Sequence, residues 1–388
     1  MEKEKKELLK FYKEIYKEDP TNAIFTPGRV NIIGEHIDYN GGKVFPMAIS
    51  LGIYGAYKFN DTKIVQSVSL GFNKEPICFN LDNLDGLDDF TKYIRGVIYI
   101  LNKHGFNKVL NEGFDIALIT TLPASSGLSS SAALELLILH ILNNHYKLGI
   151  SNLDLVKYAQ EAEREYVKVN CGIMDQFAIG MAKDNDAILL DTNTLEYNYV
   201  NFNVSSKLYI INTNKKRNLS ESKYNERRSE CDKALAILQK HKYKNSLCEY
   251  TIDELNNVKD ELTNNEYKRC HHAITENIRV NDAIEALKCH DDEKLGKLLT
   301  LSHKSLKEDY EVTGAELDTI VDALVKSEVV LGARMTGAGF GGCAIALIKD
   351  VDEKQIDELF KDIKKIYKEK TGLDLTYFKA EPAVIRYF

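Results

Sequence analysis

Hydrophobic and polar positions change period several times along this chain, and each change predicts an element. In residues 1–18, Leu8, Leu9, Phe11, Tyr12, Ile15 and Tyr16 form one apolar stripe in an otherwise charged stretch, as in a helix packed on one side. Residues 49–59 and 64–69 read as strands and 90–101 as a helix. Residues 114–122, rich in Ile, Leu and Thr, read as a half-buried strand that Pro123 stops. From Ala132 to Leu142 only Glu135 and His140 interrupt an apolar run, so a helix there is buried on most sides. Residues 153–167 predict a charged helix carrying Glu161, Glu163 and Glu165, and Asp175 falls at the start of a buried helix beside Ile173, Met174 and Phe177. Residues 191–203 read as the crossing to a second half. There 207–213 is a strand, and Ser222, Tyr224, Arg227 and Arg228 lie in a polar loop or helix start. Residues 225–306 are mostly helical, 352–368 an amphipathic helix and 375–388 a strand.

The stretch from 114 to 145 organises the rest, because its strand and buried helix are joined by Ser125-Ser126-Gly127-Leu128-Ser129-Ser130-Ser131. The first turn of a helix has unpaired N–H groups and the positive end of the dipole, so an anion gains several hydrogen bonds there at once. Glycine lets the backbone come close to a ligand, and serine hydroxyls add donors. Serines also cap helices, but one suffices for that. Three in succession past a glycine favour phosphate. No lysine stands in this loop and G-x-x-x-x-G-K-[ST] occurs nowhere in the chain, so it is not a Walker A loop.

Two further stretches carry candidate chemistry. In residues 25–42, Arg29, Glu35, His36 and Asp38 alternate with Val30, Ile32, Ile33 and Ile37, which a solvated rim does not explain. The interleaving fits a pocket whose carboxylates accept from a polyhydroxylated ligand, with His36 given no acid–base work. Asp175, set among apolar residues, needs a partner to stay ionised, and Arg29 is the candidate. Such a pair suits a phosphoryl-transfer centre, and a purely structural salt bridge is the alternative. Gly337, Gly339 and Gly342 form a formal G-x-G-x-x-G, but a strand-like run follows where a dinucleotide fold needs a helix. A glycine-rich turn between strands is the better reading.

Composition narrows the classes. A length of 388 residues suggests two domains, and a net charge of -7 disfavours nucleic acid as a partner. No apolar run is long enough to span a bilayer, the charged start does not resemble a signal peptide, and the expected location is the cytoplasm. Seven cysteines without a C-x-x-C pair indicate neither a disulfide framework nor a zinc site.

GRVNIIGEHIDYNGG (28–42), PASSGLSSSAALE (123–135) and ARMTGAGFGGC (333–343) resemble, in order, the three motifs of the galactokinase branch of the GHMP small-molecule kinases. CGIMDQF (171–177), SKYNERR (222–228), TEN (275–277) and SHKSLKEDYEV (302–312) look like further family segments, so the resemblance spans almost the whole chain. Phe90 and Ile37 depart from it, standing where the family often has tryptophan and threonine. The resemblance implies an α+β, two-domain GHMP kinase architecture: a ribosomal protein S5 domain 2-like domain (1–200), a ferredoxin-like domain (201–388) and an active site between them. It implies transfer of the ATP γ-phosphoryl group, with Mg²⁺, to the anomeric hydroxyl of galactose. Asp175 falls on the family's catalytic aspartate and Arg29 on its partner, while Glu35, His36, Asp38, Gly172 and Tyr224 fall on sugar-binding positions. Gly127, Leu128, Ser129, Ser130, Ser131 and Ala132 fall on the ATP phosphate loop, with Ser131 and Glu163 at metal positions. The expected partners are galactose and ATP, with no nucleic acid or membrane, for a monomer. An N-acetylgalactosamine kinase and a silent sugar sensor are the alternatives. The sensor predicts loss of Asp175, Arg29 or part of the serine loop, all of which are present.

Overall fold

The computed structural model describes residues 1–86, 88–124, 126–215 and 220–388, the side chains of 220–222 excepted; Ser125 and the Ser222 side chain lie outside the described residues. The chain opens with α1 (Glu2–Tyr16), β1 (Asn22–Asn31), β2 (Lys43–Val44), β3 (Pro46–Phe59), β4 (Ile64–Ser69) and β5 (Ile77–Asn80). Next come α2 (Thr91–Lys103), β6 (Phe114–Thr120), α3 (Ser130–Tyr146), α4 (Asn152–Glu161), α5 (Met174–Gly180) and the hairpin of β7 (Asp186–Asp191) and β8 (Tyr197–Asn201). The second half runs β9 (Lys207–Asn212), α6 (Ser220–His241), α7 (Ile252–Asn257), α8 (Asn264–Lys288), α9 (Asp292–Glu308) and α10 (Ala315–Leu324). It ends with β10 (Val330–Thr336), β11 (Cys343–Ile348), α11 (Glu353–Thr371), β12 (Thr376–Lys379) and β13 (Arg386–Tyr387).

The first sheet has the order β13-β1-β3-β6-β4-β5. Strand alternation assigns its two faces. Ala23, Phe25, Ala117 and Ile119 pack with Leu8 and Tyr12 of α1, while Ile24, Ile116 and Leu118 join the main core with the apolar residues of α3. Ala132, Ala133 and the run Leu136–Leu139 of α3 are fully buried, because helices or strands cover it on every side.

The second sheet, β10-β11-β9-β12, is antiparallel throughout. Its chain order of strand, helices, strand, strand, helix, strand is the ferredoxin-like arrangement. A third sheet, β2-β7-β8, lies in the first half.

Three segments differ in detail from the sequence reading. The helix expected over 153–167 widens into a π-helical turn at Ala162–Tyr166. Tyr224, Arg227 and Arg228 lie inside α6. The expected C-terminal strand is split: β12 stays in the second sheet, whereas Arg386 and Tyr387 pair with Phe25 and Ile24 of β1. Pro382, which has no N–H to give a ladder, stands at the break. The glycine-rich run is the turn between β10 and β11, as its sequence predicts. Among the described residues no disulfide is formed and no helix is long and apolar enough to cross a membrane.

Candidate active site

Backbone contacts between glycines and carbonyls bring the three motif segments together. The β1–β3 register shifts between Pro27 and Gly28, and the Arg29 N–H donates to the Leu128 carbonyl at 3.2 Å. A Cβ on Gly28 would lie 2.6 Å from that same oxygen, and one on Gly337 would lie 2.9 Å from the Gly127 carbonyl. Only residues without side chains permit this closeness. Beside them, residues of the first and third segments, with Glu163, Gly172, Asp175 and Tyr224, line a cavity of about 380 Å³, within the range of small-ligand sites.

Arg29 and Asp175 line this cavity and form a bidentate pair: Nε donates to Oδ1 and Nη2 to Oδ2, each at 2.8 Å. Arg29 Nη1 also donates to the Gly127 carbonyl at 2.7 Å, tying the pair to the serine loop. A third donor, the Ser129 hydroxyl, reaches Asp175 Oδ2 at 2.5 Å. Ser129 precedes α3 with φ +64° and makes no side-chain capping bond, so its hydroxyl serves the aspartate and not the helix end. Of the other loop positions, Leu128 and Ala132 are buried, Gly127 and Ser131 half-buried and Ser130 exposed at the first turn of α3.

Glu35, His36, Asp38, Gly172 and Tyr224 line the same cavity. A Cβ on Gly172 would lie 1.8 Å from Asp38 Oδ2, so glycine is what allows that carboxylate to sit there. Burial pushes the Asp38 pKa up to about 7, with the nearby Asp175 and Glu35 charges adding to the shift. Glu35 is deeper. Arg334 stands 3.9 Å away, Asn31 Nδ2 donates to one of its oxygens at 2.5 Å, and the Gly337 N–H and Thr336 hydroxyl donate to the other. Burial still raises its pKa. Burial lowers that of His36 to about 3, so the imidazole is neutral, and its Nδ1 lies 2.8 Å from the Tyr39 hydroxyl.

The Tyr39 hydroxyl in turn meets that of Tyr310 at 2.9 Å, and Asn31, Tyr39, Tyr310 and Arg334 all support the pocket without having been singled out by sequence. All four fall within stretches that the motif reading quotes. The missing signal was which partner each reaches, over separations of up to about 300 residues.

Among the three glutamates of the charged helix, Glu161 and Glu165 pair with Lys103 at the surface at 2.8 and 2.6 Å. Glu163 turns into the cavity, where burial, then the Asp175 charge, raises its pKa to about 7 against hydrogen bonds from Ser131, Cys171 and Gln176. Gln176 Nε2 donates to Glu163 at 2.6 Å. Behind it Glu135 is fully buried, and burial raises its pKa well above the usual range. A carboxylate costly to ionise next to a hydroxyl is a donor set that a divalent cation would stabilise. One carboxylate and one hydroxyl suit Mg²⁺, which keeps waters and substrate phosphates as its other ligands.

The chain is similar to known proteins. Residues 92–183 and 283–366 match the family models described as GHMP kinases N terminal domain and GHMP kinases C terminal, and 10–59 matches the galactokinase galactose-binding signature. The chain belongs to the GHMP kinase family. Its relatives include the galactokinase of Clostridium acetobutylicum, 48% identical over 95% of this chain and 94% of that protein. The solved structure of Lactococcus lactis galactokinase complexed with galactose superposes with a TM-score of 0.92, at 40% identity, over 97% of this chain and 98% of that one. Mevalonate kinase from Methanococcus jannaschii shares the fold at a TM-score of 0.67 and 23% identity, over 93% of this chain and 98% of that one.

Proposed function

We propose that the protein is an ATP-dependent sugar kinase that transfers the γ-phosphoryl group of ATP to the anomeric hydroxyl of galactose, giving galactose 1-phosphate and ADP. The observation that carries the reading is the half-exposed Asp175 carboxylate, held bidentately by Arg29 in a cavity that Asp38, Glu35 and His36 also line. Asp175 accepts the proton of the attacking hydroxyl, and Arg29 orients that carboxylate and offsets phosphate charge. Asp38 accepts from sugar hydroxyls, with Glu35, His36, Gly172 and Tyr224 shaping the rest of the sugar pocket. The loop from Gly127 to Ala132 binds the ATP phosphates at the N-terminus of α3.

Ser131 and Glu163 would hold Mg²⁺, which neutralises phosphate charge when bound. Positioning and charge stabilisation are most of what phosphoryl transfer asks of a protein. We assign the sugar-binding segment, the phosphate loop and the catalytic aspartate to a first domain (1–200) and the ferredoxin-like unit to a second (201–388), in a cytoplasmic monomer.

Sugar-dependent ADP release with Mg²⁺-ATP tests this, comparing galactose, N-acetylgalactosamine, glucose, arabinose and mevalonate. Galactose is expected to dominate. Preference for N-acetylgalactosamine would reassign the pocket, and silence on all five would favour a sugar sensor.

A further inference from the structure

Ser129 combines two features that ordinary helix starts lack. Its backbone is left-handed, at φ +64° and ψ +51°, although it carries a side chain. That conformation is free of cost for glycine and strained for serine. Elsewhere in the chain left-handed residues such as Lys17 and Lys147 end helices, where the geometry is common. Helix starts look different. Ser151, before α4, is extended at φ −68° and ψ +154°, and its side chain accepts from the Asp154 N–H. Ser129 forgoes that capping bond, is 7% exposed, and directs its hydroxyl to Asp175 Oδ2 at 2.5 Å. A strained conformation kept at a functional site points to a role for the group it presents.

We propose that Ser129 is a positioning residue, whose hydroxyl fixes the Asp175 carboxylate for proton acceptance. Arg29 holds the carboxylate from one side through Nε and Nη2, and the serine supplies a donor from a different element. Arginine alone leaves the carboxylate free to swing with the guanidinium. Two anchors, one on β1 and one at the start of α3, fix its plane. The hydroxyl thereby makes the phosphate loop part of the acceptor's support, a use distinct from the phosphate contact expected of it.

This inference rests on the proposed kinase reading, and the test separates the two. Ser129→Gly removes the hydroxyl together with the backbone strain; Ser129→Ala removes the hydroxyl and keeps the strain. Loss of a charge-assisted hydrogen bond is expected to lower kcat about tenfold or more in both variants alike. KM for galactose and for ATP should hold within about twofold of wild type, by the same logic of an interaction that matters in the transition state.

A raised KM for ATP with kcat intact would overturn the proposal in favour of a phosphate contact. A defect confined to Ser129→Ala would overturn it in favour of backbone geometry. If wild type fails to turn over galactose, the kinase reading falls. Crystal structures of the two variants then still decide the serine's role: an Asp175 carboxylate rotated out of its wild-type plane in both supports it, and an unmoved one overturns it.

Discussion

Two arginines meet carboxylates around this cavity, and they do so differently. Arg29 grips Asp175 at 2.8 Å through two nitrogens, yet the aspartate side chain is 32% exposed. Arg334 stands 3.9 Å from Glu35, and both are sealed, at 0% and 1% exposure. Its Nη1 instead donates to the Asn31 and Ile32 carbonyls at 2.9 and 3.0 Å, joining β10 of the second sheet to the end of β1. A carboxylate that must take a proton needs a face open to substrate. One that mainly holds two segments together is better closed off, where its hydrogen bonds compete with no water. The tight pair is therefore the one suited to chemistry, and the looser pair is part of the frame.

Breaking each pair separates these roles. Asp175→Asn is expected to lower kcat by ~10²–10⁴ while sugar binding stays near normal, measured by ADP release and by calorimetry with galactose. Near-normal turnover would sink the role. Arg334→Met should act on the fold, losing about 3–5 kcal/mol in denaturant unfolding, because it strands a buried carboxylate and two carbonyls. A stable variant with low turnover would reverse the comparison.

Asp38 pairs with no arginine among the described residues and sharpens the contrast. Gly172→Ala would drive a methyl against its carboxylate and should raise KM for galactose by about 10², the scale of an ångström misplacement, without a matching change in KM for ATP. The smallest effect is expected from pH. With its pKa lifted from 3.8 to about 7, Asp38 is ionised above that value and protonated below it. KM for galactose should then be flat above pH 7.5 and rise about three- to tenfold toward pH 6. Asp38→Asn, weaker throughout, should lose that slope, and a wild-type KM independent of pH would argue against a charged Asp38 as sugar acceptor.

Much of this frame was legible in the sequence because its signals are local. The buried α3 shows as an unbroken apolar run, and the turn after β10 shows as glycines leading into β11. The nearness of Arg29 and Asp175 could be anticipated because a carboxylate among Ile173, Met174 and Phe177 needs a cation. What stayed hidden depends on contacts between distant segments. Nothing in a run of serines says that Ser129 turns left-handed and addresses Asp175 and not the helix end. Helical periodicity alone does not separate Glu163 from Glu161 and Glu165; only the family resemblance marked it, and it is the one of the three that lines the cavity, from the π-helical turn.

The return of the chain to its first sheet bears on how the protein is made. Strand β1 is completed on its outer edge by Arg386 and Tyr387, and Ser50 and Ala48 exchange backbone hydrogen bonds with Glu381 and Ala383 just before them. Translation delivers β1 early and its edge partner only after the whole second sheet has been synthesised. Through that interval the nascent chain carries an open strand edge, the feature that recruits foreign strands. During synthesis the N-terminal half thus cannot close this border, and the edge is covered only once the residues around 386 emerge.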